Sequence, residues 1–331
     1  MGYIIVTDWV KNDGSEDVSD AIQKIIDENP NRTIYFPDGT YLLSKPICTP
    51  AEPKKSVDLR LSNYAVLKAS EDWSSEEAMV RLGGIYPFND IRTNGSNYAF
   101  TGGIVDGSGI ASGISIDSGR ETKITDVSIK HTKIGIHIKY GANSGSSDAD
   151  ILNVNIIGNK ATDSKGVLLE GHDNTLSNMR IADVQIGIHI KSCGNSMRNL
   201  HPLYTCTYVD YANSCGFYDE AGSNWYNFCY SDHFGIAFRI GKKIGLNIYD
   251  SCFCMWYSHG DYTQMAIRAD GTFDHIVKDL KIGFHADSER NVVLSVDEEG
   301  GNGCLDRLFI SNETLLDEVY KAYLKNGCFK W

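Results

Sequence analysis

Short runs of alternating apolar and polar residues fill most of the chain after residue 57, and Gly, Asn, Asp and Ser separate them. This alternation predicts half-buried β-strands joined by turns. The hexapeptide IGIHIK occurs at 134–139 and again at 186–191. It belongs to longer similar units of two strands each, so the underlying repeat is about 20 to 30 residues. The units begin at Gly113, Gly166, Gly216 and Ala266.

Two terminal segments carry apolar residues at helical spacing instead. Residues 17–29 place five apolar side chains on one helical face, and Pro30 ends that helix. Residues 313–327 show the same spacing and finish at Gly327, as helix C-termini often do. The segment TIYFPDGTYLL at 33–43 predicts a strand, a turn and a second strand. The five apolar residues of the first helix are Val18, Ala21, Ile22, Ile25 and Ile26.

A repeat of this length without helices predicts an all-β fold, a single-stranded right-handed parallel β-helix (β-solenoid) of about ten coils. One coil cannot bury its apolar face alone, so stacking the coils creates one continuous core. A β-propeller fits less well, because the half-unit also repeats. We expect a single domain in which residues 1–45 form an N-terminal helical cap and leading segment. Residues 46–311 then form the coils, and residues 312–331 form a C-terminal helical cap.

Composition restricts the classes of partner. The 331-residue chain has a net charge of −12 and no long basic run, which argues against nucleic acid. It has no stretch of about 18 apolar residues, so a membrane partner is not expected. The nine irregularly spaced cysteines indicate reduced thiols, and neither a metal site nor a cofactor is predicted. We therefore expect a soluble protein, cytoplasmic or phage-encoded; no signal peptide is visible, although one could have been removed.

Residues 6–43 resemble the N-terminal segment of the pectate-lyase-like β-helix superfamily. The shared features are an Asp-Gly-x-x-Asp stretch, an Ala-Ile-Gln helix and a Phe-Pro-x-Gly-x-Tyr strand end. They correspond here to Asp13, Gly14, Asp17, Ala21, Ile22, Gln23, Phe36, Pro37, Gly39 and Tyr41. The resemblance implies a right-handed β-helix that binds or cleaves carbohydrate, and trimeric members make a homotrimer an expectation. GGIVDGSG at 102–109 is similar to an early coil of polygalacturonases, but the catalytic motifs of that subfamily do not occur in order.

Stacked coils turn each strand position into a row. Counted from the glycine that opens each strand, positions +1 and +3 should point inward, and +2 and +4 outward. The +4 residues alternate in charge over seven successive strands, with neighbours about 4.8 Å apart. A self-neutralising ladder of surface ion pairs is the simpler interpretation, and a sugar groove is the alternative. The predicted +4 residues are Asp117, Lys139, Glu170, Lys191, Glu220, Arg239, Asp270 and Asp287.

Two acids of this row form the candidate catalytic pair. Carboxylates two strands apart have backbones about 9.6 Å apart, and their side chains can reach the spacing of an inverting glycosidase, about 6.5 to 9.5 Å. We therefore select Glu170 and Glu220, with Asp219 as an alternative partner. Asp219 falls at +3, where the other strands have mostly apolar residues. If it points inward, it is a costly buried acid; if the strand is kinked, it joins Tyr218 and Glu220 at the surface.

The remaining candidate residues would contact the sugar. Histidine and tyrosine offer a ring face and polar atoms on the outward rows. The connection at 256–264 adds aromatic residues beside the same face. The candidate substrate-binding residues are His137, His189, Lys191, Tyr218, Arg239, Arg268, Trp256 and His259.

These features predict a carbohydrate-active enzyme, a glycoside hydrolase that acts on an oligo- or polysaccharide with a carboxylate pair. One alternative is a polysaccharide lyase acting on a uronate polymer. It would use Lys191 or His189 as base and Arg239 to neutralise the substrate carboxylate. Another alternative is a non-catalytic glycan-binding protein of the tailspike or adhesin type.

Overall fold

The structure is a computed structural model that describes residues 2–50, 52, 55–83, 98–140, 147–205, 210–242, 244–257, 262–286, 290–313 and 316–330. These ranges contain one α-helix, α1 (Ser19–Glu28), and 3-10 helices at Val6–Asp8, Tyr211–Asn213 and Val319–Tyr323. The strands are β1 (Ile4–Ile5), β2 (Asp13–Asp17), β3 (Thr33–Phe36), β4 (Gly39–Leu43), β5 (Ile47–Cys48), β6 (Asp58–Leu61), β7 (Ala65–Ala69), β8 (Ala78–Leu82), β9 (Ala99–Thr101), β10 (Ile104–Asp106), β11 (Ser112–Ile116), β12 (Lys123–Thr125), β13 (Ser128–Thr132), β14 (Ile134–Ile138), β15 (Asp150–Leu152), β16 (Asn155–Gly158), β17 (Lys165–Leu169), β18 (Thr175–Ala182), β19 (Ile186–Ile190), β20 (Ser196–Leu203), β21 (Cys215–Asp219), β22 (Trp225–Asn227), β23 (Tyr230–Asp232), β24 (Ile236–Ile240), β25 (Ile248–Asp250), β26 (Phe253–Met255), β27 (Thr263–Ala269), β28 (Ile276–Gly283), β29 (Arg290–Val296), β30 (Cys304–Ser311), β31 (Leu316–Asp317) and β32 (Cys328–Lys330).

The strands stack into two long parallel sheets, as a β-helix requires. Sheet 1 has eleven strands in the described ranges, one per coil. In the same ranges sheet 2 has 21 strands, because most coils contribute two to it, as β12 and β13 do. The predicted parallel β-helix is confirmed. The strands of sheet 1 are β5, β8, β11, β14, β17, β19, β21, β24, β27, β29 and β31.

The two copies of IGIHIK are strands β14 and β19. Both pair with β17 in parallel, so the copies lie two coils apart, as the repeat predicts. Their isoleucines at +1 and +3 are fully buried. The glycine before them is needed for close packing, since a Cβ atom on Gly135 would lie 2.6 Å from the Gly166 carbonyl oxygen. The repeated strand is therefore scaffold.

A ladder of buried asparagines lines the corner between sheet 1 and sheet 2. The Oδ1 atoms of Asn174, Asn195, Asn224 and Asn247 each accept a backbone N–H from the corner of the preceding coil at 2.8 to 3.0 Å. His275 ends the ladder, because its Nδ1 accepts the N–H of Asn247 at 3.0 Å. All five side chains are at least 98% buried. The ladder satisfies backbone groups that the corner would otherwise leave unpaired inside the protein.

The N-terminal helix forms at Ser19–Glu28, inside the predicted range. Its Ile22, Ile25 and Ile26 are buried and belong to the main core. The strands β1 to β4 already pair within sheet 2, so stacking of the coils begins before the predicted boundary at residue 46.

The predicted α-helix over 313–327 is wrong. In the described part of this range, β31 pairs with β29, and a 3-10 helix covers Val319–Tyr323. Strand β32 then adds to sheet 2 beside β30. The open edges of the last coil offer parallel hydrogen-bonding partners, and these outweigh the helical spacing of the apolar residues.

The asparagine ladder leads to a prediction about stability. Changing Asn195 to Ala leaves the buried N–H of Asn174 without its acceptor, and we expect a loss of about 3 kcal/mol in the free energy of unfolding. Changing the exposed Asn155 to Ala is the control, with an expected change within about 0.5 kcal/mol. Denaturant unfolding measures both. Equal effects of the two substitutions would contradict a contribution of the ladder to the stability of the fold.

Candidate functional site

Two outward rows run along sheet 1, and the strand pairing fixes their members. The +2 row contains Arg81, Ser115, His137, Leu168, His189, Tyr218, Arg239, Arg268 and Ser295. The +4 row follows from the backbone hydrogen bonds just beyond each strand. It contains Asp117, Lys139, Glu170, Lys191, Glu220, Gly241, Asp270 and Asp297.

Two members of the predicted +4 row were wrongly placed. Arg239 pairs with Tyr218 and therefore lies at +2. In this strand Ala237, and not Gly235, occupies the position from which the row is counted. Gly241 takes the +4 position instead. The strand predicted to carry Asp287 begins at Gly283, which is the end of β28 in sheet 2. The corresponding strand of sheet 1 is β29, and the residue at its +4 position is Asp297. Asp287 lies outside the described residues.

The rows are linked diagonally. A +2 side chain on one coil binds the +4 carboxylate on the next coil, so each of these acids has a partner in the other row. The lysines at +4 add further contacts, with Lys139 Nζ 3.1 Å from Asp117 and Lys191 Nζ 3.8 Å from Glu170. The diagonal pairs are Arg81–Asp117 (2.6 Å), His137–Glu170 (2.8 Å), His189–Glu220 (2.6 Å), Arg239–Asp270 (2.9 Å) and Arg268–Asp297 (3.1 Å).

Gly241 interrupts the +4 row and opens a cleft of about 490 Å³. Its neighbours in the row are Glu220 and Asp270, which therefore face each other across a position without a side chain. The two acids are two strand spacings apart, about 9.6 Å between backbones. Glycine is required here, because a Cβ atom on Gly241 would lie 2.9 Å from the Cα of Glu220. The walls are completed by Tyr218, Arg239, Lys242, Arg268 and Asp297.

Three flat groups stack beside the cleft. The rings of His189 and Tyr218 are nearly parallel, with centroids 4.9 Å apart, and the Arg239 guanidinium lies 4.5 Å from the Tyr218 centroid. Burial raises the pKa of Tyr218, so its hydroxyl stays protonated at neutral pH. The stack gives the cleft a rigid side wall with a polar edge.

The two acids of the cleft meet different partners. Asp270 lies 2.9 Å from Arg239 Nε and 3.0 Å from Arg268 Nε, so two guanidinium groups neutralise its carboxylate. Glu220 meets the imidazole of His189. Burial lowers the pKa of His189 despite this hydrogen bond, and its Nδ1 is buried without a partner. His189 is therefore a neutral ring that donates its Nε2–H to Glu220.

Asp219 points into the solenoid and is only 1% exposed. Its carboxylate accepts the backbone N–H groups of Ala221 and Gly222 at 2.9 and 2.8 Å. Asn224 and Asn247 of the buried ladder donate to it at 2.9 and 3.0 Å, and the Tyr226 hydroxyl donates at 2.6 Å. Asp219 is therefore a structural acid. Its proposed catalytic role does not fit this burial, whereas the inward alternative does.

Two predicted sugar contacts also change. Trp256 is 2% exposed, stacks on Phe284 and donates its Nε1–H to the Phe234 carbonyl at 2.7 Å, so it belongs to the core. His259 lies outside the described residues. The structure does place His137, His189, Lys191, Tyr218, Arg239 and Arg268 on the outer face of sheet 1. Asp270 was missed as a site residue, because only the true register reveals the gap beside it.

The sequence of residues 6–209 matches the family described as rhamnogalacturonase A/epimerase, pectate lyase-like. This range is more than half of the chain. The chain belongs to this family. A comparison with curated proteins gave no significant match.

Solved structures similar to this pectate-lyase-like protein share its fold at low identity. Geobacillus virus E2 ORF18 is 13% identical with a TM-score of 0.65 over 96% of this chain and 62% of its own. The adhesin PfbA of Streptococcus pneumoniae is 13% identical, with a TM-score of 0.61 over 94% and 87%. The tailspike of E. coli bacteriophage HK620, in complex with a pentasaccharide, is 9% identical, with a TM-score of 0.72 over 99% and 65%. The chain thus spans less than two thirds of the two phage proteins.

Within the described ranges, His, Cys, Asp and Glu side chains form no group of three placed to hold a metal ion. No helix in those ranges has the length and apolar content needed to cross a bilayer. The cysteines there are free thiols.

The neutral His189 predicts a dependence of stability on pH. Its pKa is lowered in the folded protein, so the unfolded chain binds more protons once the pH falls below about 6.5. The free energy of unfolding should therefore decrease from about pH 7 to pH 5.5. H189Q keeps a donor for Glu220 and should make this decrease smaller, although His275, shifted in the same direction, preserves part of it.

Denaturant midpoints of the wild type and H189Q across this pH range measure the effect. Identical slopes for the two proteins would show that His189 does not carry it.

Proposed function

We propose that this pectate-lyase-like protein is a glycoside hydrolase that binds a glycan along sheet 1 and cleaves it over Gly241. The interruption of the +4 row carries the proposal. Elsewhere the row is a continuous ladder of paired charges, and here two carboxylates flank an open position. A sugar ring fits a gap between acids better than a filled ladder.

The spacing of Glu220 and Asp270 suits hydrolysis with inversion. Their backbones are about 9.6 Å apart. Their side chains extend toward the same cleft, which brings the carboxyl groups toward the window of about 6.5 to 9.5 Å that leaves room for a water molecule. One acid then serves the leaving oxygen and the other serves the water.

The partners of the two acids assign their roles. Asp270, fixed by two guanidinium groups, is the carboxylate that takes a proton from the attacking water. Glu220 meets one uncharged imidazole in place of two guanidinium groups, and we assign to it, in its protonated form, the transfer of a proton to the glycosidic oxygen. Different surroundings for two acids are what such a division of labour needs. The stack of Tyr218 on His189 would hold the sugar beside them.

The pair Glu170 and Glu220 is the weaker choice on this face. Lys191 occupies the +4 position between them, and Glu170 already contacts His137 and Lys191. A lyase is also less well supported, since Arg239 and Arg268 are both engaged by carboxylates and not free to neutralise a uronate. Binding without cleavage is the second candidate, favoured by the likeness to an adhesin fold.

Conservative changes of the two acids test the activity. We expect E220Q and D270N each to reduce the release of reducing ends on the order of 10³-fold, because each removes one proton-transfer group. E170Q is the matched control from the same row and should leave the rate nearly unchanged. The measurement is a reducing-end assay on a panel of polysaccharides, read together with the absorbance of unsaturated products.

Three results would redirect the proposal. Unsaturated products would favour the lyase. Loss of activity in E170Q with normal D270N would restore the pair Glu170 and Glu220. Glycan binding by the wild type without cleavage of any substrate would favour the adhesin.

We further propose that the protein is a homotrimer, as the resemblance implies, and the likeness to phage proteins supports a phage-encoded origin. Light scattering during size-exclusion chromatography should give three times the mass of the 331-residue chain. The mass of a single chain would contradict this assembly.

A further inference from the structure

A second groove lies on different coils from the sheet 1 cleft. It consists of two adjoining cavities of about 500 and 650 Å³, which share Lys68 and Ser108 as lining residues. Neither cavity shares a lining residue with the cleft over Gly241. We call it the corner groove, and its lining includes Lys68, Asp106, Ser108, His131, Lys160 and Asp183.

The corner groove runs along the solenoid axis. Its residues lie at or just beyond the ends of β4, β7, β10, β13, β16 and β18, where sheet 2 turns toward sheet 1. These are six successive strands of one stack. Five strand spacings give a length of about 24 Å. An elongated channel of this kind accommodates an extended polymer segment several sugar rings long.

The shape of the corner keeps the groove open. Ser108, His131, Lys160 and Asp183 all have left-handed backbone conformations, with φ between 51° and 65°, so the chain bends sharply there. Gly109 lies on the groove, and a Cβ atom added to it would meet nothing within 4 Å. Asn159 ties the floor together across two coils by donating its Nδ2–H to the Gly109 carbonyl at 3.1 Å.

The charges of the groove exclude a strongly acidic ligand. Asp106 lies 3.0 Å from His131 Nδ1, and Asp183 lies 3.5 Å from Lys160 Nζ. With the imidazole counted as neutral, Lys68 and Lys160 cancel these two aspartates. The adjoining cavity adds two acids, Glu71 and Asp72, which would repel a polyanion.

The same lining suits hydroxyl groups. It alternates donors from the lysines with acceptors from the aspartates, and a sugar hydroxyl can satisfy both at once. Ser108 adds no free donor toward a ligand, since its Oγ–H donates to the Ala69 carbonyl at 2.7 Å. Contacts with a ligand therefore come from the other lining residues, the charged side chains among them.

We infer that the corner groove binds a neutral oligosaccharide and anchors a glycan at a distance from the cleft over Gly241. The inference does not depend on hydrolysis, because the two sites use different coils. It separates this protein from a binder of uronate polymers. A polymeric glycan held in the groove would dissociate more slowly than a short one, whether or not the cleft acts on it.

A single substitution can fill the groove. Gly109→Asn places a side chain in open space on the lining, and asparagine tolerates the φ of +81° at this position. Gly300→Asn is the matched control, because Gly300 also has a positive φ of 97°, has nothing within 4 Å of an added Cβ atom, and lies outside the groove. Denaturant midpoints of the two variants establish that both fold.

Calorimetric titration with neutral hexasaccharides tests the inference. The probes are cello-, malto-, xylo- and mannohexaose, with hexagalacturonate as the acidic comparison. We expect at least one neutral probe to bind the wild type and G300N equally, and to bind G109N at least about tenfold more weakly. K68A, which removes one donor without filling space, should weaken binding of the same probe, and hexagalacturonate should bind less well than it.

Three outcomes would overturn the inference. The first is that no neutral probe binds. The second is that G109N and K68A bind like the wild type. The third is that binding is lost in R268A, on the sheet 1 cleft, and retained in G109N. The proposed hydrolase fails separately, through the activities of E220Q and D270N.

Discussion

Backbone hydrogen bonding between successive coils is the constraint on which the structure depends. Each strand lies about 4.8 Å from its counterpart in the next coil, and the pairing is parallel and in register. A side chain at one position therefore always has the same position above and below it. Isoleucine repeats where the row faces the core, glycine repeats where a neighbouring carbonyl approaches, and asparagine repeats where a buried corner exposes an N–H group.

The same constraint governs charge. Like charges in adjacent positions repel, and acids and bases alternate along the +4 row from Asp117 to Glu220. Beyond Gly241 the row has two acids in succession, Asp270 and Asp297, and arginines of the +2 row bind both. Most of these pairs are partly buried. Gly241 is the one position of the +4 row between Asp117 and Asp297 that has no charged side chain. It opens the ladder between Glu220, on a neutral imidazole, and Asp270, on two guanidinium groups.

Much of the fold could be predicted from the sequence, because a strict repeat reports the stacking directly. The burial of Ile136 and Ile188 and the two-coil separation of their strands followed from IGIHIK. The site was harder to predict, since the glycine near the start of a strand does not always occupy the same position in the sheet. Gly235 suggested a +4 position for Arg239 that belongs to Gly241. The orientation of Asp219 stayed open, because its five donors come from its own turn, from two asparagines of the ladder and from Tyr226. The helical spacing near the C-terminus was misleading, because β31 and β32 pair with the edges of the last coil and leave only a 3-10 helix at Val319–Tyr323 between them.

The position of a bound glycan tests the account most directly. The experiment is a crystal structure of E220Q bound to a polysaccharide fragment that the wild type binds. The substitution slows cleavage and keeps the shape of the cleft. We expect a sugar ring over Gly241, within hydrogen-bonding distance of residue 220 and of Asp270, with its glycosidic oxygen on the side of residue 220. A glycan that crosses sheet 1 over Lys191 instead, or that leaves the cleft over Gly241 empty, would contradict the central claim.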